Sequence, residues 1–526
     1  MATRIGLSVP FGLFTEAKKG AKEFIDAFGG EAAFLDFCAD NVDSTELRMI
    51  SCDADPRVVL NAVKALKSKG LWVTLHGTLG ENFFAPYREL LAAGLQESYN
   101  ITVHPLATAE ATEKMLREIC EEIEREGYPV RIALENQRLK KDKSYGTCAD
   151  VAEIARVIGS RHLELCFDFG HQLTNERAET EPSPSGEFLT RVVHTHIHSI
   201  GSRTHYPITV GDCTLDRNIT ELLSRGYDGV MNLELSPARY VGEYDVKSSI
   251  VGSVAILKAA VHQVLARLAG KDFYKNGYLS KMREARAEFD SKDDCAILVG
   301  ASAYVLKLHG KRIAIDVTPK IMPIDDSARS FLLEWISEFD AHIVTHGHGD
   351  HYDPAFICAL PATVMKIMPD FLPLETEGRV TVTDGSELAI GDISLKFYTS
   401  GHYLGTHGVP EYGIAIELDG ETLLFPTDVR DYNFAFPKFE KVRALFSHLW
   451  LGRGTALKFE ELFVDGFCKF AAQFNAERIY VAHLVETSRD ITNMWSDIHL
   501  DLVREHLPDI IAPEIGEIID LSAKKA

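Results

Sequence analysis

Thr345-His346-Gly347-His348-Gly349-Asp350-His351-Tyr352-Asp353-Pro354 packs three histidines and an aspartate into six residues, directly after the apolar run Ala341-His342-Ile343-Val344. The run reads as a buried strand feeding a tight, glycine-containing loop. Side chains two apart in an extended segment share a face, so His346 and His348 point the same way. Asp350 and His351 lie past the bend and face a second point. That arrangement suits two adjacent divalent cations better than one, and it argues against a polar loop with incidental histidines.

Working outward, 526 residues exceed one core and predict roughly two to four domains. No unbroken apolar run approaches the roughly 18 residues of a bilayer span, and Met1-Ala2-Thr3-Arg4-Ile5 opens no signal-peptide core. The expectation is a cytoplasmic protein with no membrane partner. Nine cysteines without CxxC or paired spacing fit free thiols in a reducing compartment. A net charge of −22 argues against nucleic acid as a partner and leaves negative charge for bound metal to balance.

The first half alternates short apolar runs with amphipathic stretches. Strands are expected at 5–8, 34–37, 46–50, 71–75, 100–103, 130–134, 163–167, 192–197 and 230–233, with helices between most of them, as at 56–69 and 109–126. Roughly eight alternations over about 250 residues fit a parallel (β/α)8 TIM barrel. A doubly wound open sheet is the runner-up, but no GxGxxG follows an early strand.

Strand after strand ends in a ligand-type side chain: His76, His104, Glu135, Asp168 with His171, His196 and Glu234. In a barrel these ends converge on the face that carries catalytic groups. Glu135, Asp168, His196 and Glu234 make an oxygen-rich set with one imidazole, suited to one divalent ion, Mn or Mg, with Co or Zn as alternatives.

The segments Ala133-Leu134-Glu135-Asn136, Cys166-Phe167-Asp168-Phe169-Gly170-His171, His194-Thr195-His196-Ile197-His198 and Asn232-Leu233-Glu234 resemble the xylose-isomerase-like TIM-barrel superfamily of sugar (phosphate) isomerases, epimerases and AP endonucleases. The resemblance implies that Glu135, Asp168, His196 and Glu234 hold one metal, with Glu135 and Glu234 moving a proton between adjacent carbons. The endonuclease branch also needs His76, His104, His171 and an Asp-x-His pair. Here that pair reads Arg203-Thr204-His205, a cation in place of the carboxylate. His76, His104, His171 and His205 are therefore expected to meet substrate hydroxyls or a phosphate, and Arg203 an anionic group.

Residues 245–269 are apolar at helical spacing and should close the barrel, with Gly270 as the stop. The charge-rich 271–293 is expected to be a linker with a short helix at 280–289. The domains are then 1–270, the linker, and 294–526.

From 294 the strands come closer together: 295–300, 304–308, 311–316, then a helix at 328–339 before the opening loop. His402, Asp428 and His483 each follow a later apolar strand, at 394–398, 422–425 and 479–482. His346, His348 and His402 would hold one ion, Asp350, His351 and His483 the other, with Asp428 between them. In this order, and with Asp316 after an early strand, residues 294–515 resemble the metallo-β-lactamase-fold hydrolases. That resemblance implies an αββα sandwich and two bridged ions, Zn or Mn, that polarise substrate and activate water. Asp350 counts among the catalytic groups as well as the ligands. Tyr403, His407 and Arg430 lie near the ligands but fit loop roles better; His448 and Arg453 are placed at the same mouth; His309 and His342 read as structural. The short spacings from His351 to His402 and from Asp428 to His483 leave no room for the inserted domain of nucleic-acid-processing relatives.

The combined expectation is a bifunctional metal-dependent carbohydrate enzyme: an isomerase or epimerase barrel joined to a dinuclear hydrolase acting on a sugar lactone or phosphoester. A phosphodiesterase or nuclease, and a hydrolase with a barrel that only binds sugar, are the alternatives. The expected partner is a small carbohydrate; homo-oligomerisation is left open.

Overall fold

The structure is a computed structural model and describes residues 3–139, 145–211, 213–402 and 408–522; Tyr403 and His407 fall outside them. The chain divides into two compact units, Met1–Val264 and Leu265–Ala526.

In the first unit eight parallel strands close on themselves: β1 (Arg4–Pro10), β2 (Ser44–Ile50), β3 (Trp72–Gly77), β4 (Tyr99–Val103), β5 (Val130–Glu135), β6 (Leu163–Asp168), β7 (Val192–Ile197) and β8 (Val230–Leu233). Pairing of β1 with β8 completes the ring. The connecting helices start and stop on local signals. Thr108 caps Ala109–Glu126 by accepting from the Ala111 N–H, and Gly127 ends it in the left-handed region at φ 65°.

Residues 34–37, expected as a strand, lie instead in helix Glu31–Asn41. Four apolar residues do not distinguish the two periods. The buried set Phe34, Leu35 and Cys38 spans one helical turn, and Gly30 at φ 142° sets the chain's entry into it.

Helix Val246–Asp272 does not stop at Gly270. A Cβ there would press on Thr487 and Val485, so this glycine serves close packing rather than termination. The stretch read as a linker continues through a π-helical turn, Phe273–Gly277, into helix Tyr278–Ser291, which buries Tyr278, Met282, Ala285 and Phe289. By length and composition Val246–Ser291 is apolar enough to cross a membrane, contrary to the expectation from unbroken runs. Half of its most apolar 18-residue window is buried within the protein, as in a core helix.

The second unit holds two seven-stranded sheets. In chain order the strands are β9 (Cys295–Leu298), β10 (Tyr304–Leu308), β11 (Lys311–Ile315), β12 (Ala341–Ile343), β13 (Met365–Pro369), β14 (Arg379–Val382), β15 (Glu387–Ile390), β16 (Ile393–Thr399), β17 (Tyr412–Leu418), β18 (Glu421–Thr427), β19 (Val442–His448), β20 (Arg478–Ala482), β21 (Ile510–Ile511) and β22 (Ile518–Asp520). One sheet runs β14-β13-β12-β11-β10-β9-β22, the other β15-β16-β17-β18-β19-β20-β21. Their inner faces share one core that includes Leu306, Ile313 and Ile343 from the first and Leu395, Ile416 and Phe446 from the second. Helices Tyr278–Ser291 and Asp326–Ile336 cover the outer face of the first sheet. Helices Val464–Ala472 and Asp497–Arg504 cover that of the second. The layers are therefore helix, sheet, sheet, helix.

Three hairpin turns at the rim meet on His309, whose Nδ1 lies 2.6 Å from Asp392 and Nε2 3.1 Å from Asp419. The bond to Asp392 is the main cause of a raised His309 pKa. A raised folded-state pKa stabilises the fold fully below the ordinary histidine value of about 6.5 and loses that contribution as pH climbs through the raised value. His309→Gln should therefore lower the melting temperature more at about pH 5.5 than at about pH 9. An equal gap at both pH values would show that the clamp does not depend on charge.

Candidate metal centres

At the C-terminal ends of the barrel strands, Glu135 and Asp168 are the last residues of β5 and β6, and Glu234 follows β8. The buried Glu135 Oε2 gathers three imidazoles: His104 Nε2 at 3.1 Å, His196 Nδ1 at 3.2 Å and His76 Nε2 at 3.3 Å. His196 Nδ1 is also 3.4 Å from Glu234, and His205 Nδ1 is 3.2 Å from the same carboxylate. Asp168 caps helix Phe169–Arg177 through one oxygen, accepting from the His171 N–H, and turns the other to His198 Nε2 at 3.1 Å. Gly170 is required there, because any Cβ would fall on the His198 ring.

Glu135 Oε2 and His196 Nδ1 are buried without a hydrogen-bond partner, although their neighbours crowd in. Burial pushes the Glu135 carboxyl up, but His104 and His196 outweigh it and hold it well below the usual range. Glu234 behaves alike, with His205 and His196 opposing burial. Ionised carboxylates and free imidazole nitrogens converging on one point fit a divalent ion.

The structure thus draws Glu135, Asp168, His196, Glu234, His76, His104, His171 and His205 into one region. Arg203 is exposed on its loop, and Arg48, Arg138 and Arg239 line the cavity, a space of about 1010 Å³. The place beside His171 and His205 goes to His198, the three offering ligand atoms within 4.8 Å of one another. The donor set is richer in imidazole than the one-histidine site expected from sequence.

In the second unit the loop after β12 is held by Asp316, which accepts from the Thr345 N–H at 2.8 Å and its hydroxyl at 2.7 Å. His351 Nδ1 lies 2.8 Å from the same carboxylate. Asp316 itself sits in the left-handed region at φ 54°, a strained geometry held by these bonds. His346, His348, His402 and Asp428 bring ligand atoms within 4.8 Å of one another. Glu411 backs them, with His402 Nδ1 at 2.7 Å and His346 Nδ1 at 3.1 Å. A second group, within the same 4.8 Å span, joins His351, His448 and His483. Asp350 Oδ2 stands 3.3 Å from His483 Nε2 and 3.7 Å from His351 Nε2.

Here too the ligand atoms lack partners. Nε2 of His351, His402 and His483, Nδ1 of His448 and Oδ1 of Asp428 are all buried without a hydrogen bond. Left unmet, each would cost roughly 1–3 kcal/mol. Burial raises the Asp428 pKa, yet His483 and Arg430 hold it well below the usual range. Burial lowers His351 and His483, but Asp350 and Asp316 raise the first to about 9, and Glu486 and Asp428 the second to about 10. The carboxylates draw positive charge inward, and a divalent ion meets the same demand by releasing those protons. The donor set fits a pair of Zn or Mn ions.

Residues 47–251 match the family model described as xylose isomerase-like TIM barrel. The N-terminal unit is a xylose isomerase-like TIM barrel. Solved structures that the chain resembles include a D-tagatose 3-epimerase-like protein, at 19% identity over 50% of this chain and 99% of the other, TM-score 0.36. An L-ribulose 3-epimerase matches at 14% identity over 50% and 97%, TM-score 0.35. Isothiocyanate hydrolase from Delia radicum gut bacteria matches at 16% over 43% and 99%, TM-score 0.32. At these levels the likenesses say nothing about activity here. No curated protein matches the chain.

Several site residues carry no role in the sequence reading. Inside the xylose isomerase-like barrel, Glu46 on β2 accepts from the Ser8 hydroxyl at 2.9 Å and faces His196 Nε2 at 3.0 Å and His194 Nε2 at 3.1 Å. Arg48 binds Glu234 at 3.1 Å. The signal was a glutamate and an arginine inside one barrel strand, Ser44–Ile50, where charge is costly unless paired. Glu411 and Glu486, which orient His402 and His483, are single acids in loops and give no sequence signal.

Asp316→Ala would strand two donors of Thr345 and one ring nitrogen of His351. A loss of about 3 kcal/mol or more in the unfolding of the second unit by urea is expected. A loss under about 1 kcal/mol would mean that water replaces the carboxylate.

Proposed function

We propose that the chain joins two metal-dependent centres: a sugar (phosphate) isomerase or epimerase in the barrel, and a dinuclear hydrolase of metallo-β-lactamase type in the second unit. The hydrolase substrate on this reading is a sugar lactone or sugar phosphoester. The observation that carries the proposal is the convergence of buried, unpartnered ligand atoms at both places. The helix-sheet-sheet-helix layering and the position of the ligands at strand ends support the hydrolase assignment. The partner is a small carbohydrate, without nucleic acid or membrane.

Bound divalent ions would supply Lewis acidity towards a carbonyl or phosphoryl oxygen and would acidify water. In the barrel, Glu135, Asp168, His196 and Glu234 would hold the ion, with His76 and His104 beside Glu135. Glu135 and Glu234, both kept ionised, would take a proton from one carbon and return it to its neighbour. Arg48 fixes the Glu234 carboxylate from the side away from His196. Arg48, Arg138 and Arg239 along the cavity suit a phosphorylated or otherwise anionic sugar.

In the second unit His346, His348 and His402 would hold one ion and Asp350, His351 and His483 the other, with Asp428 shared. Glu411 and Glu486 take the Nδ1 side of His402 and His483 and so present Nε2 as the ligand atom. Arg430 donates to Asp428 at 2.8 Å and lines a cavity of about 900 Å³.

One observation favours a second reading of the barrel. The His171, His198 and His205 group provides ligands for a further ion, as phosphoester cleavage would use. Negligible retention on a DNA column at low salt would dispose of the nuclease form of that reading.

The purified chain is expected to open a sugar lactone. His348→Ala should abolish this, by more than about 100-fold, while Glu234→Ala leaves it unchanged. Equal losses in both variants would refute two independent centres. Elemental analysis should find about three ions per chain, two in the second unit and one in the barrel.

A further inference from the structure

We infer that His448 is a metal ligand of the second unit, adding a third imidazole to the ion held by His351 and His483. The inference rests on the dinuclear reading above and extends it to a residue outside that ligand set. It begins with topology. Strands β18, β19 and β20 are parallel neighbours in one sheet. Parallel neighbours lie roughly 4.8 Å apart, so what leaves their C-terminal ends shares one small space. Asp428 follows β18, His448 ends β19 and His483 follows β20. The middle strand thus delivers a side chain between two residues already assigned to the site.

The side chain is built as a ligand would be. His448 is 4% exposed, and its Nδ1 is buried with no hydrogen-bond partner. That nitrogen is 3.9 Å from Asp428 Oδ1. The ring stacks on His483 at 4.7 Å and 15° and lies 5.3 Å from His351. One ligand atom from each of the three histidines falls within 4.8 Å of the others. A stacking partner alone would be better served by phenylalanine, which carries no buried nitrogen to leave unmet. Among the described residues, His351 Nε2, His448 Nδ1 and His483 Nε2 are each buried without a hydrogen-bond partner, and the three rings gather at one place.

The test uses the full chain with the barrel centre silenced by Glu135→Gln and Asp168→Asn, so that retained zinc belongs to the second unit. Zinc alone is the probe, and bound metal is counted after equilibration against rising chelator. The parent should keep about two ions. His448→Leu should lose one of them at chelator concentrations roughly 10–100-fold lower, at least the penalty that even an outer partner of a ligand commands. The metal-free melting temperature of His448→Leu should equal or exceed that of the parent, because an unmet nitrogen is removed. A merely structural histidine would give the reverse: a lower metal-free melting temperature and an unchanged chelator midpoint. His448→Cys gives a second readout. Loaded with Co²⁺, it should gain a thiolate-to-cobalt charge-transfer band, and no band would place position 448 outside the coordination sphere. Two ions held by His448→Leu with an unchanged midpoint would overturn the inference while leaving the dinuclear reading intact. A parent that holds no zinc in this unit would overturn both.

Discussion

A carboxylate taken out of water must be met by positive charge or by donors, and both halves of this chain are arranged around that requirement. Glu46, Glu135, Asp168 and Asp316 are wholly buried, and Asp428 nearly so. Each is surrounded by imidazoles rather than by lysines, with Arg48 and Arg430 as the guanidinium partners of Glu234 and Asp428. Histidine is the side chain that can answer a buried anion as a cation and then yield its nitrogen to a metal. This double capacity explains why the two candidate centres, built on unrelated topologies, draw on the same residue types.

The two topologies solve the placement problem differently. In the barrel, closure alone brings the ends of β3 to β8 to one mouth, so each strand need only end in a suitable residue. In the second unit no ring does this work. The ligand loop is positioned by Asp316, a residue in strained backbone at the end of a neighbouring strand, and His483 likewise sits at φ 72°. Strain of this kind persists only where surrounding bonds over-determine it.

Much of this was legible in the sequence because ligand-type residues directly follow apolar runs: Glu135 after 130–134, His402 after 394–398, His483 after 479–482. What escaped did so for physical reasons. Residues 34–37 were too few to separate a period of two from one of 3.6. Gly270 was read by its backbone freedom, whereas the structure uses its missing side chain. Arg203 stands where the resemblance puts the aspartate of an Asp-x-His pair, and it is exposed on its loop. In space the alternation of β7 and its exit sends His194, His196 and His198 inward, so the neighbour of His171 and His205 came from two residues past a ligand already found. Glu46 meets His196 only once the barrel has closed, a relation that no local pattern records.

The candidate ligands of the second unit are divided equally between its sheets. His346, His348, Asp350 and His351 leave the first sheet after β12, while His402, Asp428, His448 and His483 leave the ends of β16, β18, β19 and β20 in the second. Neither sheet alone presents more than half of the donor set. On the proposed dinuclear reading, an ion bound there would act as a rivet through the sandwich, its binding free energy adding to the docking of one sheet on the other. Metal capture and closure of the apolar core would then be one cooperative event, and a half-assembled sandwich would have no centre to load.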